Sequence, residues 1–92
     1  MRMTEKIIVT VTDQYGSFCE DLELPTNLPM VKLKDDIVQT INGYCPELNL
    51  PLYGVRVFSN RRNIILNDAE TLAKSGIWNG DYLTLVFEAR EH

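Results

Sequence analysis

The stretch that most constrains the fold of this chain is its last third, residues 66–87, where apolar and turn-forming residues follow one another in a fixed order. Leu72 and Ile77 are five residues apart, so we expect a single helical turn with both ends buried. Asn79-Gly80-Asp81 follows, and these residue types adopt left-handed backbone at low cost. A closing strand is then predicted, with Leu83, Leu85 and Phe87 on the buried face and Thr84 and Val86 on the other.

The preceding two thirds of the chain show the periods of strands and of one helix. Alternating residues predict strands over 6–12 and 18–24, joined by a hairpin turn with Gly16 at a positive φ. Short strands are predicted over 55–58 and 64–66. Between the second and third of these strands, apolar residues at helical spacing predict a helix. Its buried stripe consists of Met30, Leu33, Ile37, Val38 and Ile41.

The ends of the predicted helix are marked by a proline and a glycine. We expect Asn27 or Leu28 at the cap, Pro29 in the first turn and Gly43 just after the last turn. In the loop that follows the helix, Leu48, Leu50 and Leu52 are expected to cover the edge of the core.

Length and composition limit the class of protein. The chain has 92 residues, 45% of them hydrophobic, which is enough for one domain over residues 1–92 and too few for two. The net charge is −4 and the pI about 4.8. A nucleic-acid-binding domain usually has a basic face and a high pI, so nucleic acid is not expected as a partner.

The residues that carry chemistry in enzymes are few and scattered. His92 is the only histidine and stands last, so nothing near Cys19 or Cys45 in sequence activates either thiol. A disulfide between the two cysteines stays open. The acidic pairs Asp35–Asp36 and Asp68–Glu70 fit a solvated helix face and turn capping. We therefore predict no enzyme activity, no catalytic residues, no cofactor and no metal site.

Targeting and membrane segments are not evident in the sequence. The first six residues lack an apolar run of signal-peptide length, and no stretch approaches a membrane span. We expect a reduced, cytoplasmic protein without direct membrane insertion, and a peripheral place at the inner face of the cell membrane through a protein partner stays open.

The last third also resembles a known family. Leu66, Asp68, Thr71, Leu72 and Ile77 match the connection that precedes the closing strand in ubiquitin-like proteins. The continuation through Asn79-Gly80-Asp81 to Leu83 is similar to the YukD/EsaB-type ubiquitin-like component of bacterial type VII (WXG100) secretion systems. The resemblance implies an α+β, β-grasp fold with a mixed sheet of four to five strands packed on one helix. It also implies a non-catalytic, cytosolic accessory or regulatory component that binds cytosolic domains of secretion proteins.

The same resemblance leaves two alternative functions open. Some ubiquitin-like proteins are conjugated or carry sulfur through a C-terminal Gly-Gly, but Glu91 and His92 stand where those glycines would be. The chain is therefore expected not to be conjugated. A cytosolic ubiquitin-like domain excised from a larger membrane secretion protein is the second alternative. Oligomeric state is left open.

Ubiquitin-like domains commonly bind partners through the outer face of the sheet. The resemblance places Arg56 where ubiquitin has the central isoleucine of its apolar patch, so receptors for that patch should bind poorly. Two interpretations of the arginines stay open: they are ordinary solvated charges, or they pair with an acidic partner. The partner-binding residues proposed on this face and in its turn are Arg56, Thr84, Val86, Arg61 and Arg62.

Trp78 is the most informative single residue. In a turn before the closing strand it should lie near the surface, where a tryptophan is a frequent interface anchor. The alternative is that its ring folds over Tyr82 or the nearby loop and shields the core. Tyr15 and Tyr53 carry weaker versions of the same ambiguity.

Overall fold

The computed structural model describes residues 5–88. Glu91 and His92, which stand at the Gly-Gly positions, lie outside them. The described residues form five strands, one α-helix and one 3₁₀ turn in this order: β1 (Lys6–Asp13), β2 (Cys19–Pro25), α1 (Met30–Tyr44), the 3₁₀ turn (Pro46–Leu48), β3 (Val55–Ser59), β4 (Ile64–Ile65) and β5 (Tyr82–Phe87).

The five strands form one mixed sheet in the order β2-β1-β5-β3-β4. β5 lies in the middle, parallel to β1 and antiparallel to β3. The closing strand therefore joins two hairpins that lie far apart in sequence. This confirms the predicted β-grasp arrangement of a mixed sheet on one helix.

Alternation along the strands places the core on one face of the sheet. Val9 and Val11 of β1 and Leu83 and Leu85 of β5 are fully buried there. The helix covers this face with the stripe expected from the sequence, Met30, Leu33, Ile37, Val38 and Ile41, each of them 0% exposed. Within residues 5–88 no helix packs against the opposite face of the sheet, which we call the outer face.

Both ends of α1 differ from the prediction by one or two residues. Pro29 is the cap residue, with ψ 144°, rather than part of the first turn. Because a proline disfavours helical backbone in the residue before it, Leu28 cannot begin the helix. At the other end Gly43 lies inside the helix, since Cys45 N–H still donates to Ile41 O at 2.8 Å. Pro46 follows immediately, and it has no N–H with which to extend the helix.

The loop after the helix covers the core only in part. Leu48 and Leu50 pack against the core, as expected, but Leu52 is 44% exposed. The Asn42 side chain accepts a hydrogen bond from Leu50 N–H at 2.7 Å and donates one to Leu50 O at 3.0 Å. These bonds fix the backbone at Leu50, and the chain turns outward beyond it.

The connection to β5 contains the expected single helical turn, which is not continued into a longer helix. Ser75 N–H donates to Thr71 O at 2.9 Å, and Leu72 and Ile77 are buried as predicted. Gly80 is the member of Asn79-Gly80-Asp81 that has a positive φ, +91°. Asn79 contributes differently, because its Oδ1 accepts a hydrogen bond from Ile8 N–H at 2.7 Å. The turn thus extends the contact between β5 and β1.

Candidate protein-binding surface

Three of the proposed binding residues lie together on the outer face. Arg56 of β3 is the cross-strand partner of Val86 in β5, and Thr84 is two residues before Val86 on the same strand. Arg56 is exposed, whereas Thr84 and Val86 are half-buried by their neighbours. The three side chains therefore form one continuous patch across two strands.

The charge of Arg56 is compensated within the chain. Its Nη2 lies 3.3 Å from Glu88 Oε2, and both side chains are more than half exposed. An ion pair in solvent contributes on the order of 0.2–1 kcal/mol, so a partner carboxylate could replace Glu88 at little cost.

Two apolar residues next to this patch were missed by the sequence reasoning. Phe58 pairs with Thr84 across β3 and β5, and Ile65 pairs with Phe58 from β4. Phe58 is half-buried and Ile65 is 43% exposed. Phe58 could have been found, because it lies two residues after Arg56 and strand side chains alternate. Ile65 could not, because its place depends on the β3–β4 register. The outer face is therefore more apolar than one would expect from the arginine that stands in place of ubiquitin's central isoleucine.

Trp78 lies at the surface, and its ring packs on an arginine. The Arg61 guanidinium carbon is 3.7 Å from the centroid of the indole, and Trp78 remains 62% exposed. A guanidinium over an indole is a favourable cation–π arrangement. Because most of the ring faces solvent, it does little to shield the core.

Arg61 is held in place by a buried carboxylate. Its Nε donates to Asp81 Oδ1 at 2.8 Å and its Nη2 to Oδ2 at 3.0 Å, and Nη2 also donates to Gly76 O. Asp81 is only 7% exposed, and its Oδ2 also accepts the Trp78 backbone N–H at 2.8 Å. We call Arg61, Trp78 and Asp81 the Trp78 cluster. It joins the β3–β4 turn to the start of β5.

The electrostatics of the cluster follow from these bonds. The hydrogen bond from Arg61 lowers the pKa of Asp81 below its usual value, with a further contribution from the Trp78 N–H and partial opposition from burial. The same pair raises the pKa of Arg61. Both groups are therefore charged at neutral pH.

Arg62 is also used inside the molecule. Its Nη1 donates to Ser75 O, and its backbone N–H donates to Ser59 Oγ at 3.1 Å. The sequence alone allowed two readings for Arg61 and Arg62, partner-seeking cations or ordinary solvated charges. In the structure both side chains instead bind within the molecule, since each joins the β3–β4 turn to the connection before β5.

The two cysteines lie on different parts of the described structure, Cys19 at the start of β2 and Cys45 just after α1. Cys19 is exposed, Cys45 is half-buried, and both are free thiols. Within residues 5–88, no three His, Cys, Asp or Glu side chains come close enough to hold a metal ion, and no helix is long and apolar enough to cross a bilayer. An open cleft of about 400 Å³ lies beside β3. It is bordered by two ion pairs, Lys34–Asp68 and Arg56–Glu88.

One helix packed on a mixed five-stranded sheet, with the first and last strands parallel to each other, is the ubiquitin-like (β-grasp) fold. The sequence model of the family described as "WXG100 protein secretion system (Wss), protein YukD" matches residues 7–85. The chain belongs to this family, as the resemblance of residues 66–83 indicated. None of the curated proteins matches the chain significantly.

Solved structures with the same fold include domains from mycobacterial secretion proteins. The EccD5 ubiquitin-like domain from Mycobacterium xenopi has a TM-score of 0.76 and 17% identity, over 95% of this chain and 99% of that one. The ubiquitin-like domain of ECCD1 from Mycobacterium tuberculosis gives 0.70 and 22%, over 89% and 98%. A chain of the MycP5-free ESX-5 inner membrane complex gives 0.75 and 20%, over 95% of this chain and 22% of that one. At these identities the likeness establishes the fold.

Proposed function

We propose that this protein is a non-catalytic interaction module that acts in the cytosol as an accessory or regulatory component of a type VII (WXG100) secretion system. Membership of the YukD family supports the pathway. Binding occurs through the outer face around Arg56, Thr84 and Val86 and through the Trp78 cluster.

The observation that carries the proposal is the way Trp78 is presented. An indole that is 62% exposed rests on a guanidinium that is itself fixed by a buried carboxylate. A side chain that is already ordered loses little conformational entropy when it is covered by a partner. Tryptophan and arginine are also the residue types most enriched among those that dominate interface energies. The cluster is thus a pre-formed anchor.

The partner is proposed to be a cytosolic domain of another secretion component. One protein of similar fold is a chain of an inner membrane complex, which supports a role at such an assembly. The same likeness favours a second candidate, in which this chain represents the ubiquitin-like domain of a larger membrane secretion protein. In both cases the domain docks by the same surface.

The test is a pull-down from native cytosol and solubilised membranes, followed by binding measurements with the captured secretion protein. Trp78→Ala should weaken binding by about 2 kcal/mol, roughly thirtyfold, if the indole is a hot spot. Arg56→Glu should also weaken it, since it reverses a charge at the centre of the patch. Tyr44→Ala is the matched control, because Tyr44 is an aromatic residue of similar exposure, 61%, on the helix side of the sheet.

Two results would contradict the proposal. Unchanged binding by both Trp78→Ala and Arg56→Glu, in variants that remain folded, would place the interface elsewhere. Capture of an adenylating enzyme, or a covalent adduct on intact-mass analysis with lysate and ATP, would favour the conjugated or sulfur-carrying alternative.

A further inference from the structure

Among residues 5–88, β2 is an edge strand, and one side of it carries backbone groups that pair with no other described strand. Thr26 N–H donates to Glu5 O at 3.0 Å, and in an antiparallel pair such bonded positions alternate with positions that face away. Counting back by two from Thr26 shows that Leu24 and Leu22 bond to β1. The N–H and C=O groups of Asp21 and Glu23 therefore point away from the sheet.

The bonds of β1 give the same register independently. Ile8 and Thr10 are the cross-strand partners of Glu23 and Asp21. Their N–H groups donate to Asn79 Oδ1 and to Asp81 O, on the β5 side of β1. Residues of β1 that bond to β5 are not bonded to β2, so their partners on β2 have backbone groups free for another strand.

A cleft runs beside this free edge, between β2 and α1. It has a volume of about 340 Å³ and is lined by both polar and apolar residues. An added strand would direct every second side chain into the cleft and the others over the outer face. The cleft is lined by Glu23, Leu24, Pro25, Leu33, Asp36, Gln39 and Thr40.

The charges at the edge select the occupant. Asp21 and Glu23 are exposed on β2, and their side chains lie on the outer face, since Leu22 and Leu24 alternate with them and are buried. Asp21 accepts a hydrogen bond from Thr10 Oγ1 at 2.6 Å, which orients the carboxylate, and no cation among residues 5–88 forms an ion pair with it. A second copy of this chain would set carboxylates against carboxylates, which is unfavourable on adjacent strands. A segment with lysines or arginines at alternate positions is complementary.

We infer that the free edge of β2 binds an extended, basic segment of a partner protein as a sixth strand of the sheet. Its backbone pairs with Asp21 and Glu23, its lysines or arginines face their carboxylates, and its apolar residues lie over the cleft. This edge is separate from the surface used in the proposed function, so the two can fail independently.

The probe is a synthetic eight-residue peptide of alternating lysine and valine, titrated into ¹⁵N-labelled protein. The largest amide shifts should fall on Cys19, Asp21 and Glu23, and the amides of Asp21 and Glu23 should become protected from hydrogen exchange. Glu23→Gln should weaken binding about threefold, as expected for one solvent-exposed ion pair. Glu47→Gln is the matched control, because Glu47 is exposed in the 3₁₀ turn, outside the cleft.

A backbone variant separates strand pairing from simple charge attraction. Glu23→Pro removes an N–H that points away from β1, and Pro25 already occupies an equivalent position, so the β1–β2 pairing is retained. It should weaken binding at least about tenfold, more than Glu23→Gln does, because it also removes a main-chain bond. Should Glu23→Pro not fold, exchange protection at Asp21 in the wild type decides the question.

Three results would overturn the inference. The first is absence of binding by the lysine–valine peptide. The second is equal binding by a peptide in which glutamate replaces lysine. The third is binding without protection of the Asp21 and Glu23 amides, which would mean contact through charge alone.

Discussion

At the scale of single residues, Asp81 is the acceptor that links Arg61 to Trp78. It is buried and accepts hydrogen bonds from the Arg61 side chain and the Trp78 backbone. Replacing it by alanine leaves both donors without their acceptor. We expect Asp81→Ala to lower the free energy of unfolding by about 1–3 kcal/mol, measured by urea denaturation.

Asp68→Ala provides the control for this prediction. Asp68 also accepts from a cation, Lys34 Nζ at 3.0 Å, but its side chain is 56% exposed. Water replaces the lost partner, so the change should cost less than about 1 kcal/mol. Equal losses in the two variants would show that the burial of Asp81 is not what makes it important.

The lowered pKa of Asp81 also predicts a pH dependence. In the unfolded chain the pKa of an aspartate is about 3.9, and in the folded protein the Arg61 hydrogen bond holds it lower. The unfolded state therefore binds the proton more readily as the pH falls. The stabilisation is complete above about pH 5 and is lost as the pH drops through the folded pKa.

The measurement is the free energy of unfolding of the wild type and of Asp81→Asn across this range. Asparagine has nearly the same shape but no charge in this range, so the difference between the two proteins should narrow below about pH 4. A difference that stays constant as the pH falls would contradict the assignment of this stabilisation to the Asp81 charge.

At the scale of elements, two glycines in similar open surroundings should respond in opposite ways to alanine. A Cβ at Gly80 or Gly43 meets no atom within 4 Å, but Gly80 has φ +91° and Gly43 lies inside α1. Gly80→Ala forces an alanine into left-handed backbone and should destabilise by about 1–2 kcal/mol. Gly43→Ala favours the helix and should stabilise by about 0.5–1 kcal/mol.

Thermal unfolding of the two variants tests this pair directly. Because neither alanine clashes with a neighbour, the difference isolates backbone conformation from packing. Destabilisation by both substitutions would mean that Gly43 is required for another reason.

At the scale of the whole molecule, cooperativity depends on β5. This strand pairs with β1 on one side and β3 on the other, so the two hairpins form one sheet only when the end of the chain is in place. Amides of Val9, Val11, Leu83 and Leu85 should therefore exchange with solvent only through global unfolding. Those of Asp21 and Glu23, on the free edge of β2, should exchange fast.

Native-state hydrogen exchange in low urea measures both groups at once. If β5 amides exchange with a free energy well below that of global unfolding, the closing strand is a separately unfolding unit. The fast exchange of Asp21 and Glu23 is also the baseline against which peptide protection is read.

The sequence reasoning located the elements well and their ends less well. Strand alternation and the helical stripe predicted β1, β2, α1 and β5, because each pattern depends on which face of one element is buried. The predicted cap at Asn27 or Leu28 and the predicted helix end before Gly43 were wrong by one or two residues, since the cap is Pro29 and α1 ends at Tyr44. Leu52 was placed at the core although it is exposed.

The candidate site was predicted residue by residue, but not its internal contacts. Arg56, Thr84 and Val86 were found together because alternation fixes a face of a strand. The sequence placed Trp78 near the surface without showing what supports it. Its role in binding stays a prediction.

By itself, the sequence determined the strands, the helix, the turn glycines and the family, because these depend on local periodicity and on backbone preferences of neighbouring residues. Only the tertiary structure decided that Arg61 pairs with Asp81, 20 residues away, and supports Trp78. It also decided that Ile65 lies beside Phe58. Such contacts depend on the register between segments distant in the chain, and no local pattern records that register.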